Sequence, residues 1–213
     1  MSRGLQVLVV DDHATVRERL IRILTHAQPG WQVRDAASGE AALALVDQSP
    51  FDVGVLDVSM PGMNGLELVR TLRERGHRLP LLMLSMHAEE AYALRAFRAG
   101  ARGYITKDRA AEDLVRAVQT VAGGGSCIPP GLVGRVRVTP EGTVEVAAHA
   151  GLTERELQVL RHLGRGETVA EVARQLRLPE AAVATARGRI LDKLGLSSDA
   201  DLAGYAATHG LLP

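Results

Sequence analysis

Five short apolar runs alternate with longer stretches of helical spacing through the first 122 residues of this 213-residue chain, and few folds accept that pattern. The runs occupy residues 6–10, 31–36, 53–56, 81–84 and 103–106, each of strand length. Between them Val16, Leu20, Ile23 and Leu24 repeat at helical spacing, as do Leu66, Leu68, Val69 and Leu72, and further on Ala91, Leu94 and Phe97. A helix after every strand returns the chain to its starting edge, so successive strands pair in parallel. Continuous apolar runs, rather than strict alternation, suit strands covered on both faces. The expectation is an α/β domain, a five-stranded parallel sheet with helices on both sides. About 120 residues suffice for an independent core. With only 3% aromatics, that core is built from Leu, Val, Ile and Ala.

Gly123-Gly124-Gly125-Ser126, followed by Pro129-Pro130-Gly131, ends the pattern and reads as a domain boundary. Arg135-Val136-Arg137-Val138 and Thr143-Val144-Glu145-Val146 then alternate with period two around Thr139-Pro140-Glu141-Gly142. That is a hairpin signal, with opposite charges available across the strands. A lone hairpin is marginal in water, so an extended linker is the competing expectation. From Leu152 onward the spacing is helical. Thr153 with Glu156 makes a capping box, and Leu157, Leu160 and Leu163 form the stripe behind it. A short helix over 168–176, the connection Arg177-Leu178, a helix opened by Pro179 and running to 194, and a last helix over 199–209 follow. Such a set fits a small all-α bundle containing a helix-turn-helix. The expected division is therefore a domain over 1–122, a linker over 123–149 and a second domain over 150–213.

The 25 basic residues balance 25 acidic ones, so the chain as a whole has no polyanion-binding charge. Its one cysteine, Cys127, excludes an internal disulfide and a Cys-rich metal site, and its place beside the glycine run suggests exposure. No apolar run approaches the roughly 20 residues that span a bilayer. The N-terminus also lacks a signal-peptide layout. A cytoplasmic protein with no membrane partner is expected.

Asp11 and Asp12 directly follow the first strand, Asp57 ends the third, Ser85 ends the fourth, and Lys107 follows the fifth. In a parallel sheet these positions share the carboxyl edge, where ligands of open α/β folds bind. Three carboxylates placed together need a cation, and oxygen donors suit Mg²⁺. An Asp beside Mg²⁺ and a lysine can act as a nucleophile toward phosphorus, with the positive groups neutralising the phosphoryl oxygens. A phosphatase-like enzyme would want a second carboxylate two residues after Asp57, and that position is Ser59. A switch rather than an enzyme is expected.

The motifs Val9-Val10-Asp11-Asp12-His13, Leu56-Asp57-Val58-Ser59-Met60-Pro61-Gly62-Met63-Asn64-Gly65, Leu84-Ser85-Met86-His87 and Gly103-Tyr104-Ile105-Thr106-Lys107-Asp108 occur in this order. With them, residues 5–122 resemble the flavodoxin-like receiver domain of bacterial two-component response regulators. The resemblance implies that Asp57 accepts a phosphoryl group from a sensor histidine kinase. It implies that Asp11, Asp12, Asp57 and the backbone carbonyl of Ser59 hold Mg²⁺, with Lys107 at the phosphoryl oxygens. Ser85 and Tyr104 match the family's switch pair, and Ser59 and His87 stand where members tune the lifetime of the acyl phosphate.

Leu152-Thr153-Glu154-Arg155-Glu156, Val159-Leu160, Glu171-Val172-Ala173, Leu178, Val183, Arg189-Ile190-Leu191 and Lys193-Leu194-Gly195-Leu196 resemble the LuxR-type helix-turn-helix of the NarL/FixJ regulators. That implies a transcriptional regulator that pairs as a homodimer when phosphorylated and lays the 179–194 helix in the major groove of promoter DNA. From Leu152 on, however, eight basic residues face eight acidic ones. The reading helix carries Ala181, Ala182, Ala184 and Ala186 where polar residues are common in the family, leaving Thr185, Arg187, Arg189 and Lys193 as candidate DNA contacts. Alanine makes no bidentate base contact. The alternative expectation is a regulator whose helix-turn-helix binds DNA weakly or not at all and acts through protein contacts.

Overall fold

The structure, a computed structural model, describes residues 4–86, 90–140 and 142–212. The chain divides into two compact units, Met1–Val133 with Arg137–Val146, and Gly134–Val136 with Ala147–Pro213. Among the described residues no helix is long and apolar enough to cross a membrane.

The first unit alternates β1 (Gln6–Val10), α1 (Ala14–Ala27), β2 (Gln32–Ala36), α2 (Gly39–Gln48), β3 (Val53–Asp57), α3 (Gly65–Glu74), β4 (Leu81–Ser85), α4 (Glu90–Ala99), β5 (Gly103–Thr106) and α5 (Ala110–Ala122). All strand pairs are parallel, in the order β2-β1-β3-β4-β5. This is the flavodoxin-like arrangement. Side chains alternate across each strand. Val7, Val9, Val53, Val55, Leu82 and Leu84 meet Leu20 and Leu24 of α1 and Leu114, Val118 and Val121 of α5 in one buried cluster. On the opposite face α2 packs on α3 and α3 on α4, and Leu68, Val69 and Leu72 of α3 are buried. Each such leucine contributes about 2 kcal/mol by leaving water.

The two edges of the sheet differ. In β2 only Ala36 is buried, so this strand does not follow the pattern of one covered on both faces. Polar Arg34 and Asp35 lie along that edge, and such residues discourage strand addition. At the other edge the chain covers itself. Tyr104 N–H donates to the Cys127 carbonyl at 3.0 Å, and Cys127 N–H donates to that of Arg102 at 3.1 Å. Cys127 is therefore half-buried rather than exposed. Burial pushes its thiol above the ordinary value, away from reactive thiolate.

In the linker, β6 (Val136–Val138) and β7 (Val144–Val146) form a two-stranded sheet. Gly142 at φ +76° turns the chain, and Arg137 pairs with Glu145 across the strands at 2.6 Å. Glu141 lies outside the described residues. The β7 strand packs on α4, which gives the hairpin a partner.

The second unit is all-helical, with α6 (Glu154–Gly164), α7 (Val169–Leu176), α8 (Glu180–Leu194) and α9 (Asp199–Thr208). Capping boxes start α6 at Thr153 and Glu156 and α7 at Thr168 and Glu171. Arg177 takes the left-handed conformation at φ 54° and ends α7. Pro179 stands as the N-cap of α8, one position before the helix, because its ring sets φ near −60° but its ψ remains extended. Leu157, Leu160, Val172, Val183, Ile190 and Leu202 close a single core. Beside it, buried His149 makes three contacts with two groups, the Tyr205 hydroxyl and the Gly134 carbonyl. Its Nδ1 lies 3.0 Å from Tyr205 Oη, its Nε2 lies 3.1 Å from the Gly134 carbonyl, and its backbone N–H donates to Tyr205 Oη at 3.2 Å.

Candidate functional site

The carboxyl edge of the sheet gathers residues from four strands. Asp11 stands one residue past β1, Asp57 and Ser85 close β3 and β4, and Lys107 follows β5. The ladder continues beyond the strand ends: Val58 N–H donates to Leu84 O at 2.9 Å and Lys107 N–H to Ser85 O at 2.8 Å. Hydrogen bonding thus fixes the depth at which each side chain emerges. The turn after Asp57 needs its glycines. Gly62 has φ +69°, and a Cβ on Gly65 would stand 2.0 Å from the Asp57 carbonyl oxygen. Asn64 caps α3 immediately beyond, accepting from Glu67 N–H at 3.0 Å.

Lys107 is the hub. Its Nζ donates to Asp11 Oδ2 at 2.6 Å and pairs with Asp57 Oδ2 at 2.8 Å. Asp11 is wholly buried and Asp57 almost so. Burial pushes the Asp57 carboxyl above its ordinary value, against the opposing pull of the Lys107 ammonium. For Lys107 burial works downward, but its hydrogen bonds to Asp11 and Asp57 outweigh it and hold the ammonium above its usual range. Ser59 N–H donates to Asp57 Oδ1 at 3.3 Å. Arg17 steadies the loop from α1, donating to the Asp11 carbonyl and to Asp35 Oδ2, both at 2.8 Å.

Asp12 lies on the outer side, where His13 Nδ1 approaches its Oδ1 at 3.0 Å and Asp11 Oδ1 at 3.5 Å. Donor atoms of Asp11, Asp12 and His13 all fall within 4.8 Å of one another. His13 was not among the metal candidates read from sequence, although its adjacency to the two acids was the available signal. Three carboxylates against one ammonium leave the edge with an excess of two negative charges, which a divalent ion would balance. The donors are mostly hard oxygens, so the set fits Mg²⁺. Ser85 and Tyr104 are both buried, Ser85 at the edge and Tyr104 three residues before Lys107 in β5. His87 lies outside the described residues.

The four candidate DNA contacts of α8 do not form an open cationic face. Arg187 Nε donates to Asp199 Oδ1 at 2.6 Å. Lys193 Nζ reaches Glu156 Oε2 at 2.7 Å. Thr185 Oγ1 donates to the Ala181 carbonyl at 2.8 Å, and Arg189 is exposed.

Comparison with known proteins covers both units. Residues 7–119 match the response regulator receiver domain, and residues 150–206 match the luxR family of bacterial regulatory proteins. The chain is 33% identical over 210 residues to the response regulator UvrY of Escherichia coli K12, covering 97% of this chain and 95% of that one. It is 36% identical over 200 residues to the transcriptional regulatory protein UhpA of Salmonella typhimurium LT2, covering 92% and 95%. The crystal structure of ChrA, the response regulator of a heme-sensing two-component system, superposes with a TM-score of 0.52 at 28% identity, covering 99% of this chain and all of that one. A luxR-type match over the second unit favours DNA over protein contacts as its role.

Proposed function

Since the chain belongs to the NarL/FixJ family of two-component response regulators, in which a receiver domain is joined to a LuxR-type DNA-binding domain, we propose that Asp57 is the residue a sensor histidine kinase phosphorylates to switch transcription. The family consists of DNA-binding regulators of transcription and not of enzymes. What carries the assignment to Asp57 is one ammonium, Lys107 Nζ, shared by two buried carboxylates at 2.6 and 2.8 Å. That arrangement keeps a nucleophilic oxygen at the edge and a fixed positive charge beside it.

Asp57 Oδ attacks the phosphorus of a phosphohistidine, the P–N bond breaks, and the imidazole leaves with its electron pair. Lys107 then meets a phosphoryl oxygen, and Ser85 donates a hydrogen bond to another. Tyr104, already buried in this structure, is the partner through which the movement of Ser85 is carried to the surface. Asp11, Asp12, Asp57 and the Ser59 carbonyl would hold Mg²⁺, which would supply positive charge to this acidic edge during phosphoryl transfer. The phosphorylated form is favoured among pre-existing conformations and pairs as a homodimer on promoter DNA in the cytoplasm. Domain limits at 1–122 and 150–213, joined by the 123–149 linker, divide these roles.

The test is phosphorylation of the full chain by acetyl phosphate with and without Mg²⁺, read by intact mass. One base-labile phosphoryl group per chain is expected, only with the divalent ion present. Asp57→Asn abolishes it while the unfolding transition persists. Retained labelling in Asp57→Asn would overturn the assignment.

A further inference from the structure

Val183 and Ile190 are buried and mark the inner side of α8. Ala181, Thr185, Gly188 and Asp192 follow one another at i, i+4, i+7 and i+11 along the opposite side, and Ala182 and Ala184 flank them, both exposed. The hydroxyl hydrogen of Thr185 is used inside the helix, on the Ala181 carbonyl at 2.8 Å. Arg187 and Lys193 lie toward the inner side and are held by Asp199 at 2.6 Å and Glu156 at 2.7 Å. From Glu180 to Thr185 the exposed side chains are thus methyl-bearing ones and a single carboxylate.

In a helix-turn-helix the N-terminal turns of the second helix meet base edges in the major groove. Of the four bases, only thymine displays a methyl group there. We propose that this domain selects its DNA by packing the methyl groups of Ala181, Ala182, Ala184 and Thr185 on thymine methyls, so that thymines, rather than hydrogen-bonded guanines, specify its half-sites. The proposal rests on α8 being the DNA-reading helix. Arg189, exposed and without an ion-pair partner among the described residues, supplies charge toward the phosphates. Burial of one methyl changes affinity by about fourfold.

The test deletes methyl groups from the DNA, so folding of the protein is not in question. Duplexes selected from a random library by the acetyl-phosphate-treated full chain are resynthesised with deoxyuridine for thymidine, one position at a time. Two or more positions per half-site are expected to weaken binding by about fourfold each. The salt dependence is expected to stay unchanged, because phosphate contacts are untouched. Ala184→Gly is expected to cancel the deoxyuridine effect at one of those positions. Equal binding of the deoxyuridine and thymidine duplexes overturns the proposal, and so does a selected site specified by guanines. Random duplex at low salt is the control. If it is bound while selection enriches nothing, methyl readout fails and DNA binding stands. If no duplex is bound at any salt, both fail.

Discussion

The carboxyl edge of the sheet and the outer face of α8 are the two surfaces proposed to meet the partners of this regulator, and they are built on opposite plans. At the edge, Asp11 and Asp57 are drawn out of water and each held within hydrogen-bonding distance of the Lys107 ammonium. On α8 Arg187 and Lys193 are turned onto neighbouring helices, and Ala181, Ala182 and Ala184 are exposed on the outer side. A switch that must change state when one group is added needs strong, unbalanced local electrostatics. A surface that slides over DNA needs shape and few committed contacts. Charge deletions should therefore be severe in the first region and mild in the second.

The largest effect is expected from Lys107→Met. It leaves two buried carboxylates without their cation, and breaking a buried pair in this way costs about 3 kcal/mol. Urea unfolding followed through Trp31, the single tryptophan and one packed on the α1/α5 core, measures it. Millimolar Mg²⁺ should restore more stability in the variant than it adds to the parent chain, since the ion takes over charge balance. An unchanged midpoint without Mg²⁺ would mean that Lys107 does not offset the buried charge of Asp11 and Asp57.

How much of each plan is legible in sequence differs for a physical reason. Asp57, Ser85 and Lys107 are far apart along the chain, but parallel topology sends every strand's end to one edge, so their meeting follows from the periodicity of the apolar runs alone. The core positions follow likewise: Val7, Val9, Leu82 and Leu84 are buried as the runs require. The partner of Lys193 follows from no such rule. Glu156 is 37 residues away on another helix, and only the crossing of α6 and α8 brings them together. The same holds for Cys127, whose burial depends on the chain doubling back along β5. His149 carried no motif, yet it is among the few buried polar residues.

His149 gives the second unit its own strong point and a pH dependence. Burial lowers its pKa below the ordinary 6.5, with the nearby His209, Arg135 and Arg161 acting in the same direction and the Gly134 carbonyl opposing. The unfolded chain takes up a proton below about 6.5 while the folded one resists, so the unfolded state binds more protons in that window. Stability from this group is complete above pH 6.5 and declines as the pH falls toward the lowered folded value. His149→Ala should remove that slope. It should also cost about 1 kcal/mol at neutral pH, because it removes the ring's hydrogen bonds to the Tyr205 hydroxyl and the Gly134 carbonyl, while the backbone N–H of residue 149 still reaches Tyr205. Hydrogen exchange of the α6 and α9 amides between pH 7.5 and 5.5 checks both. A slope that survives the substitution would place the titration elsewhere.

Lys193→Met comes next, at about 0.5–1 kcal/mol. Glu156 keeps the Thr153 N–H at 2.7 Å and the Thr153 hydroxyl at 3.1 Å, so it is not orphaned. Lys193 itself is 40% exposed, and water screens what it contributes. Thermal unfolding compared with Glu156→Gln separates the two roles, since the glutamine loses the ion pair but retains the capping hydrogen bonds. Equal losses in the two variants would assign the energy to the ion pair.

The smallest effect is expected from Arg187→Ala, within about 0.5 kcal/mol, because its partner Asp199 is more than half exposed and the pair sits in high dielectric. The variant is informative on the DNA side. Were Arg187 to leave Asp199 for a phosphate on binding, its removal would lower the salt slope of DNA affinity by about one unit. If it stays on Asp199, the slope is unchanged and the outer methyl face carries recognition without it. A measured drop would show that the ion pairs of α8 open in the complex, and the contrast between the two surfaces would then hold only for the free protein.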